Sequence, residues 1–519
     1  MATGSDGTER ISRRAVLRRA AALGLAAGSL SCLGASRVFG APAGSAVTIA
    51  EGLEPLSLDP ANDTATMAMD TYSSMFDALV SFDAKIVLHP SLAASWRAVT
   101  PTTWEFALAS GVMFHNGDPM TSDDVAYSIN RIVAPDSKLR RKSFMAGIQK
   151  ADVVDAKTVR VTTSIPLAIT PKLMRYAYVV PRKIVEQQGD AQFALKPVGT
   201  GPYQFVEWVK SSHITVRRYD RYWGAAPAID VATWQSIPED FSRVAALQTG
   251  AADVIVLVPP DRAAALQRAR DIHVETSPSL RTDFVGMNTW SAPFADVRVR
   301  QAMNYAVDKD TLIKEILGGY AISNGSPVSR AVPSFNPAIK PYPYDPDKAK
   351  ALLKQAGYAN GFETTIEGTA GMYPSETDVI QAIAGQLQKV GVTVRLNLQP
   401  WGSFWPRWLG RKVPGLYFLG FGNDLGDPHQ IFASHMWKAG RGLYWNTPKL
   451  DAMVEAGLAT ADEAKRHAVY ADAQVFVHEQ APWVFLYDQV DIYGVRGRID
   501  WRPRPDEQVL PHQMRARTA

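Results

Sequence analysis

A junction at Gly391 constrains the fold more than any other feature of this chain. Upstream of it, Ile380, Ile383, Ala384 and Leu387 recur at the spacing of one helical face. Downstream, Val392, Val394, Leu396 and Leu398 alternate with Thr393, Arg395 and Asn397. A period near 3.6 becomes a period of 2 across one glycine. This predicts a helix closed by Gly391 and a half-buried strand directly after it. Ser375 with Asp378 supplies a capping-box-like start for that helix. Helices and strands that follow one another in this way pack as an α/β fold.

The same two periods recur elsewhere. Trp104, Phe106 and Leu108 alternate with polar or small neighbours, as do Ile214 and Val216, and both stretches predict half-buried strands. Val254 to Val258 is apolar without a break, the pattern of a strand covered on both faces. Thr121 with Asp124 opens a helix carrying Val125, Ile129 and Ile132 on one face. Thr460 with Glu463 opens another, carrying Ala464, Ala468, Ala471 and Val475. Asp296 to Leu317 reads as one or two amphipathic helices. Gly199 and Gly201 predict a tight turn fixed by Pro202. With 519 residues, 46% of them hydrophobic, the chain has room for two to four domains of about 150 residues and is too apolar to be disordered. Its single Cys excludes a disulfide scaffold and a cysteine-based zinc site.

Residues 1–43 read as an export signal. Ser12-Arg13-Arg14 begins a basic stretch that continues through Arg18 and Arg19. An apolar run from Ala20 to Leu33 follows, and then Ala41-Pro42-Ala43, a small-x-small cleavage pattern. The arginine pair beside a modest apolar run resembles a twin-arginine signal. Cys32 offers a lipid attachment point, although Ser29-Leu30-Ser31 fits a lipobox poorly. Beyond this segment no run of about 18 apolar residues occurs, so no membrane span is expected. Removal of the segment takes six arginines and two acids from totals of 55 and 51, leaving 49 basic and 49 acidic side chains. A balanced mature chain offers no electrostatic reason to bind nucleic acid or an anionic membrane.

A search for enzyme chemistry returns little. No Gly-x-Ser-x-Gly elbow and no phosphate-cradling loop is present. His478-Glu479 lacks the second His of a zincin helix. Gly199-Thr200-Gly201-Pro202 imitates a dinucleotide fingerprint, but Pro202 has no amide to offer a phosphate. The acidic pair Asp123-Asp124 is explained as helix capping. No catalytic residue, cofactor or metal is expected.

Five blocks of residues carry a resemblance. They are the opening Leu58-Asp59-Pro60, then Pro90 to Trp96 with Trp104-Glu105-Phe106, Gly111 to Gly117 and Asp123-Asp124-Val125, then Val198 to Tyr203 with Tyr222-Trp223-Gly224, Pro293 to Ala302, and Tyr344 to Ala349. In this order they resemble the peptide-type (family 5) extracellular solute-binding proteins of bacterial ABC importers, which include dipeptide- and oligopeptide-binding proteins. Trp96, Trp104 and Trp223 within these blocks are expected in the core. The resemblance implies an α/β fold of two lobes, the periplasmic-binding-protein arrangement, closing on ligand between them. The first lobe would span 44–286 plus 488–519, with an inserted subdomain at about 85–190. The second would span 287–487. The resemblance further implies a periplasmic monomer that captures a peptide or peptide-like amine and delivers it to an ABC permease with its ATPase subunits. The same fold taking an opine, sugar or metal chelate is the alternative, and a secreted hydrolase a remote one.

The resemblance also implies a site. In Leu419 to Pro428, Asp424 falls on the position that anchors the ligand amino group. Gly420 and Gly422 fall where the backbone bonds an extended ligand, with glycine permitting close approach. Trp401 falls on a ligand-covering Trp, and Trp405 and Trp408 follow it on one helical face. Tyr373 falls near a ligand-shielding position. Asp427 reads as a structural turn residue. Dipeptide binders hold the ligand carboxylate with an Arg just before the helix near Ser375, yet Gly368 to Pro374 contains no basic residue. Arg407 or Arg411 is the nearest substitute.

Overall fold

A computed structural model describes residues 46–517. Residues 1–43, read above as an export signal, lie with Cys32 outside the described residues. Among the described residues no helix is long and apolar enough to cross a membrane.

One mixed sheet runs through the molecule. Its strands lie in the order Val392–Leu398, Phe362–Gly368, Leu416–Gly422, Ile272–Met287, Trp483–Arg496, Val254–Ile255, Ala46–Glu51, Val231–Ser236, His213–Arg218 and Tyr203–Val209, with Ala321–Ser323 added to Trp483–Arg496. The end built on Ala46–Glu51 is here called the first lobe and the end built on Val392–Leu398 the second. Two long antiparallel strands, Ile272–Met287 and Trp483–Arg496, join them. Their pairing slips between Pro278 and Thr282 and again after Asp283. A separate antiparallel sheet of four strands, Ala93–Thr100, Thr103–Leu108, Thr158–Thr163 and Ile148–Asp155, stands on the first-lobe side. This is the two-lobe α/β architecture.

The local readings mostly hold, and the exceptions have physical causes. Phe362–Gly368, the helix Glu376–Gln388 and Val392–Leu398 form a parallel βαβ unit, with Gly391 at φ +91° after the helix. Only Val392 of the last strand is fully buried, because this strand is the edge of the sheet. That helix starts without the expected capping box. Ser375 is left-handed and its side chain caps nothing, while buried Glu376 turns back to accept from the backbone N–H groups of Thr369 and Met372. Thr121 and Asp124 do form the expected box.

The unbroken apolar run Val254 to Val258 gives a strand of only Val254–Ile255, because Leu257 turns to φ +50° and takes the chain out of the sheet. The helix Glu463–Gln480 is capped by Asp462, not Thr460, and buries the face opposite to the expected alanine stripe. Arg466, Tyr470, Ala473, Gln474 and Val477 point inward while Ala464, Ala468 and Val475 are exposed. Polar members of that face are buried because partners from elsewhere in the chain satisfy them, which periodicity does not register.

Three of the four apolar cores among the described residues frame the site. One fills the first lobe around Ile49, Tyr72 and Trp234, and another the second lobe around Val285, Ile383 and Phe418. The third is continuous from Phe106 and Ile129 in the four-stranded subdomain to Trp408, Phe421 and Trp483 in the second lobe. Trp96, Trp104 and Trp223 pack against it half-buried.

Gly199 and Gly201 are not φ-dependent turn residues. A Cβ on Gly199 would lie 2.0 Å from the Met75 carbonyl oxygen, and one on Gly201 would lie 2.5 Å from the Met75 carbonyl carbon. The glycines are required because the backbone after the helix Ala68–Met75 passes directly over them. Gly199→Ala is therefore expected to destabilise the chain by about 1–3 kcal/mol through overpacking. Urea denaturation of the variant checks this, and an unchanged midpoint would contradict the packing argument.

Candidate functional site

The strand Leu416–Gly422 lies in the second lobe beside Ile272–Met287, with Arg281 opposite Gly422 and Asp283 opposite Gly420. On its other side, pairing with Phe362–Gly368 involves only Leu416 and Tyr417. The segment that follows turns through Asn423 and Asp424 to Gly426, at φ +57°, and brings Asp424 against the first lobe.

Asp424 meets Tyr176 there. The Tyr176 hydroxyl lies 2.8 and 2.9 Å from the two carboxylate oxygens, and Gln430 Nε2 donates to Oδ1 at 2.5 Å. Arg175, next in sequence to Tyr176, donates to the Asp424 carbonyl oxygen and also to Asp506 and Gln508, both at 3.0 Å. Burial first, and then the charge of Asp424, push the Tyr176 phenol well above its ordinary value, so it stays a neutral donor. A carboxylate of one lobe is thus bonded to a phenol of the other.

Asp427, three residues on, is a buried ion-pair centre. Lys172 of the first lobe lies 3.1 Å from it and Arg466 2.9 Å, and it accepts from the His429 N–H. Burial works to raise its pKa, but the two cations outweigh burial and hold it at about 2. Asp427, Glu463 and His467 bring possible metal ligands within 4.8 Å of one another. Lys172 and Arg466 already neutralise the carboxylates, so this cluster does not require a cation.

The other expected residues gather on the second-lobe side. The Tyr373 hydroxyl donates to the Gly420 carbonyl at 3.1 Å, and the Arg281 guanidinium reaches the same oxygen at 3.3 Å. A Cβ on Gly420 would lie 2.1 Å from Asp283 Oδ1 and 2.7 Å from the Tyr373 ring. The room that glycine leaves at this position is therefore filled by Asp283 and Tyr373. At Gly422 the nearest atom to a Cβ is Arg281 Nη2 at 3.5 Å, ordinary contact.

Trp401, Trp405 and Trp408 share one face of the helix Trp401–Leu409 and stack in sequence, each ring 4.7 Å from the next. Trp408 is fully buried, while Trp401 and Trp405 are half-buried. Arg407 is engaged: it forms a bidentate pair with buried Glu367 at 2.6 and 3.1 Å. Arg411 is exposed, at φ +56°.

Sequence reasoning missed Tyr176, Arg175, Gln430 and Arg441. Arg441 lies between the lobes, 5.0 Å from the Phe144 ring centroid and 5.6 Å from that of Trp405. No motif marks these residues, and Tyr176 stands 248 positions from the carboxylate it meets.

The comparisons with known proteins fit this architecture. The model of the bacterial extracellular solute-binding proteins, family 5, matches residues 87–441. The chain belongs to that family. A glutathione-binding protein, GsiB, of Pectobacterium atrosepticum is 31% identical over 475 residues, which is 89% of this chain and 91% of the relative. The periplasmic binding protein DppA from Helicobacter pylori, solved with the peptide STSA, is similar at a TM-score of 0.81 and 25% identity, covering 91% of this chain and 98% of that one. NikZ from Campylobacter jejuni, solved with Ni(L-His), matches at a TM-score of 0.79 over 91% of this chain and 99% of that one, and at 21% identity it shows the fold alone.

Acidic groups crowd the strands that join the lobes. Asp488 accepts from Asn324 Nδ2 at 2.8 Å and from the Arg330 N–H at 3.0 Å, and burial lifts it to about 7 against these bonds. Asp491 is lifted to about 8 by burial and then by the charge of Glu507. Asp283, whose Oδ1 has no partner among the described residues, is raised well above its ordinary value by burial. A carboxyl raised in the fold stabilises it fully below its unfolded pKa, and this contribution is lost as pH rises through the folded value. The thermal midpoint is therefore expected to fall from about pH 6.5 to pH 8, above the range in which the buried histidines His115, His429 and His512 titrate. The rise of Asp488 from 3.8 to about 7 is linked to at most ~4 kcal/mol. Asp488→Asn should flatten the profile, and identical profiles for both proteins would remove Asp488 as a titrating group.

Proposed function

We propose that this family member is the solute-capture component of an ABC importer, working in the periplasm as a monomer without catalysis. Its cargo is a short peptide or peptide-like amine such as glutathione. Asp424 carries this reading: a carboxylate at the inter-lobe contact, held by a neutral phenol from the opposite lobe. An ammonium group arriving there makes a charge-assisted, shielded bond, stronger than the neutral one it joins or displaces. The printed name of the glutathione-binding relative and the peptide bound to the Helicobacter protein favour the same class.

The remaining roles follow from this anchor. The strand edge beyond Tyr417 offers Gly422 as a backbone partner for an extended ligand, a β-augmentation mode, whereas the Gly420 carbonyl is already taken by Tyr373 and Arg281. Tyr373 fixes the Gly420 carbonyl. Trp401, the outer ring of the tryptophan ladder, covers the ligand. The first lobe comprises 44–286 and 488–519 with the subdomain at about 85–190, and the second comprises 287–487. Residues 1–43 direct twin-arginine export, and the permease with its ATPase subunits receives the closed, loaded form. Ligand drives closure because it contacts both lobes at once.

Trialanine or glutathione is expected to raise the thermal midpoint of the mature chain, by the amount that binding to the folded state alone dictates. Asp424→Asn should weaken trialanine by at least ~30-fold, since truncating one partner of a shielded charge pair costs about 2–5 kcal/mol. N-acetyl-trialanine should bind both proteins equally, and the unliganded midpoint should change little. Calorimetric titration reads these affinities, and equal trialanine affinity in the two proteins would take Asp424 out of the site.

A further inference from the structure

Almost every cation near the inter-lobe contact already has an anion. Lys172 and Arg466 hold Asp427, Arg175 holds Asp506, Arg281 holds Glu507, and Arg407 holds Glu367. Arg441 is different. Among the described residues it forms no ion pair. Its one side-chain hydrogen bond is a long contact of 3.5 Å from Nη1 to the Ser143 hydroxyl, and its Nε is buried without a partner.

The surroundings of Arg441 orient it. Phe144 of the first lobe and Trp405 of the second flank the guanidinium, and Phe144 packs at 5.0 Å on Tyr176, the residue that bonds Asp424. Burial lowers the Arg441 pKa, and the nearby Tyr176 and Asp424 oppose that shift. Arg141 also lacks a carboxylate partner, but it is 0% exposed, sealed among the rings of Tyr72, Tyr176 and Tyr178 and tied by Nε to the Pro60 carbonyl. Arg441 is only half-buried, so a ligand can reach it.

We propose that Arg441 holds a carboxylate of the bound solute, so that the receptor selects a ligand carrying both an ammonium and a carboxylate group. This rests on the peptide reading above. The stretch Gly368 to Pro374 contains no basic residue for that job, and Arg407 is consumed by Glu367. A guanidinium flanked by rings keeps its N–H edge free for the two oxygens of a carboxylate, which a lysine ammonium would not match. An unpaired charge at a closing interface is costly, and a ligand anion removes that cost only when the lobes meet. Asp424 and Arg441, both beside Tyr176, then recognise the two charged groups of a zwitterion.

Calorimetric titration of the mature chain with trialanine and trialanine amide, and with glutathione and its glycine ethyl ester, tests the assignment. The wild type is expected to bind each free acid at least about tenfold more tightly than its capped form. Arg441→Gln should weaken the acids by at least tenfold and bind acid and capped form alike, while Arg441→Lys should fall between. Asp424→Asn should weaken all four ligands yet keep the preference for acids. If Arg441→Gln fails to fold, the wild-type comparison and Arg441→Lys decide. Equal wild-type binding of acids and capped forms, or a preference that survives in Arg441→Gln, overturns the role of Arg441 and leaves the peptide reading standing. Failure of all four ligands to bind the wild type overturns both.

Discussion

Two antiparallel strands, Ile272–Met287 and Trp483–Arg496, connect the halves of one sheet, and the geometry of the cleft follows from how they pair. A ladder that spans two lobes bends most easily where its register is interrupted. Here the interruptions fall at Pro278 to Thr282 and after Asp283. The C-terminal segment packs against the same point: Leu280 donates to the Pro505 carbonyl, and Glu507 binds both Ser279 and Arg281. Asp283, Asp488 and Asp491 are buried beside it. Burial raises the pKa of these three carboxyls, and the fixed ion pair at this point is that of Arg281 with Glu507.

The inter-lobe contact divides its charges into settled and unsettled groups. Asp427 with Lys172 and Arg466 is settled, a fully buried carboxylate with two cations and a backbone donor. Asp424 is held by neutral donors, Tyr176 and Gln430, and Arg441 by rings and one long contact. Neutral partners stabilise a charge less than an opposite charge does in a low-dielectric crevice. The unsettled acid and the unsettled base both lie near one tyrosine, Tyr176, which matches the zwitterionic solute proposed above.

Family membership and ligand class rest on different grounds. The match over residues 87–441 and the 31% identity to a glutathione-binding protein establish the family. The same fold is found around a tetrapeptide and around a nickel chelate, so architecture alone does not choose the cargo. The choice lies in a few side chains. The ones proposed here are an Asp that the family resemblance anticipated and an Arg at a position it did not.

Local periodicity was sufficient to announce an α/β chain and the βαβ unit around Gly391, because hydrophobic spacing reports which face of an element is buried. Asp424 was singled out by the family resemblance, legible in the consecutive residues Leu419 to Pro428, and not by periodicity. Periodicity failed wherever a distant partner changed the local balance. The helix Glu463–Gln480 buries Arg466 rather than its alanines because Asp427 receives that arginine. Gly199 owes its identity to the backbone of Met75 passing over it. Tyr176, the glycine-filling Asp283, the pairing of Arg407 with Glu367 and the isolation of Arg441 were decided by tertiary structure alone. Each depends on which charged or polar groups the fold brings within about 3 Å across long stretches of chain, and no spacing in a linear sequence encodes that distance.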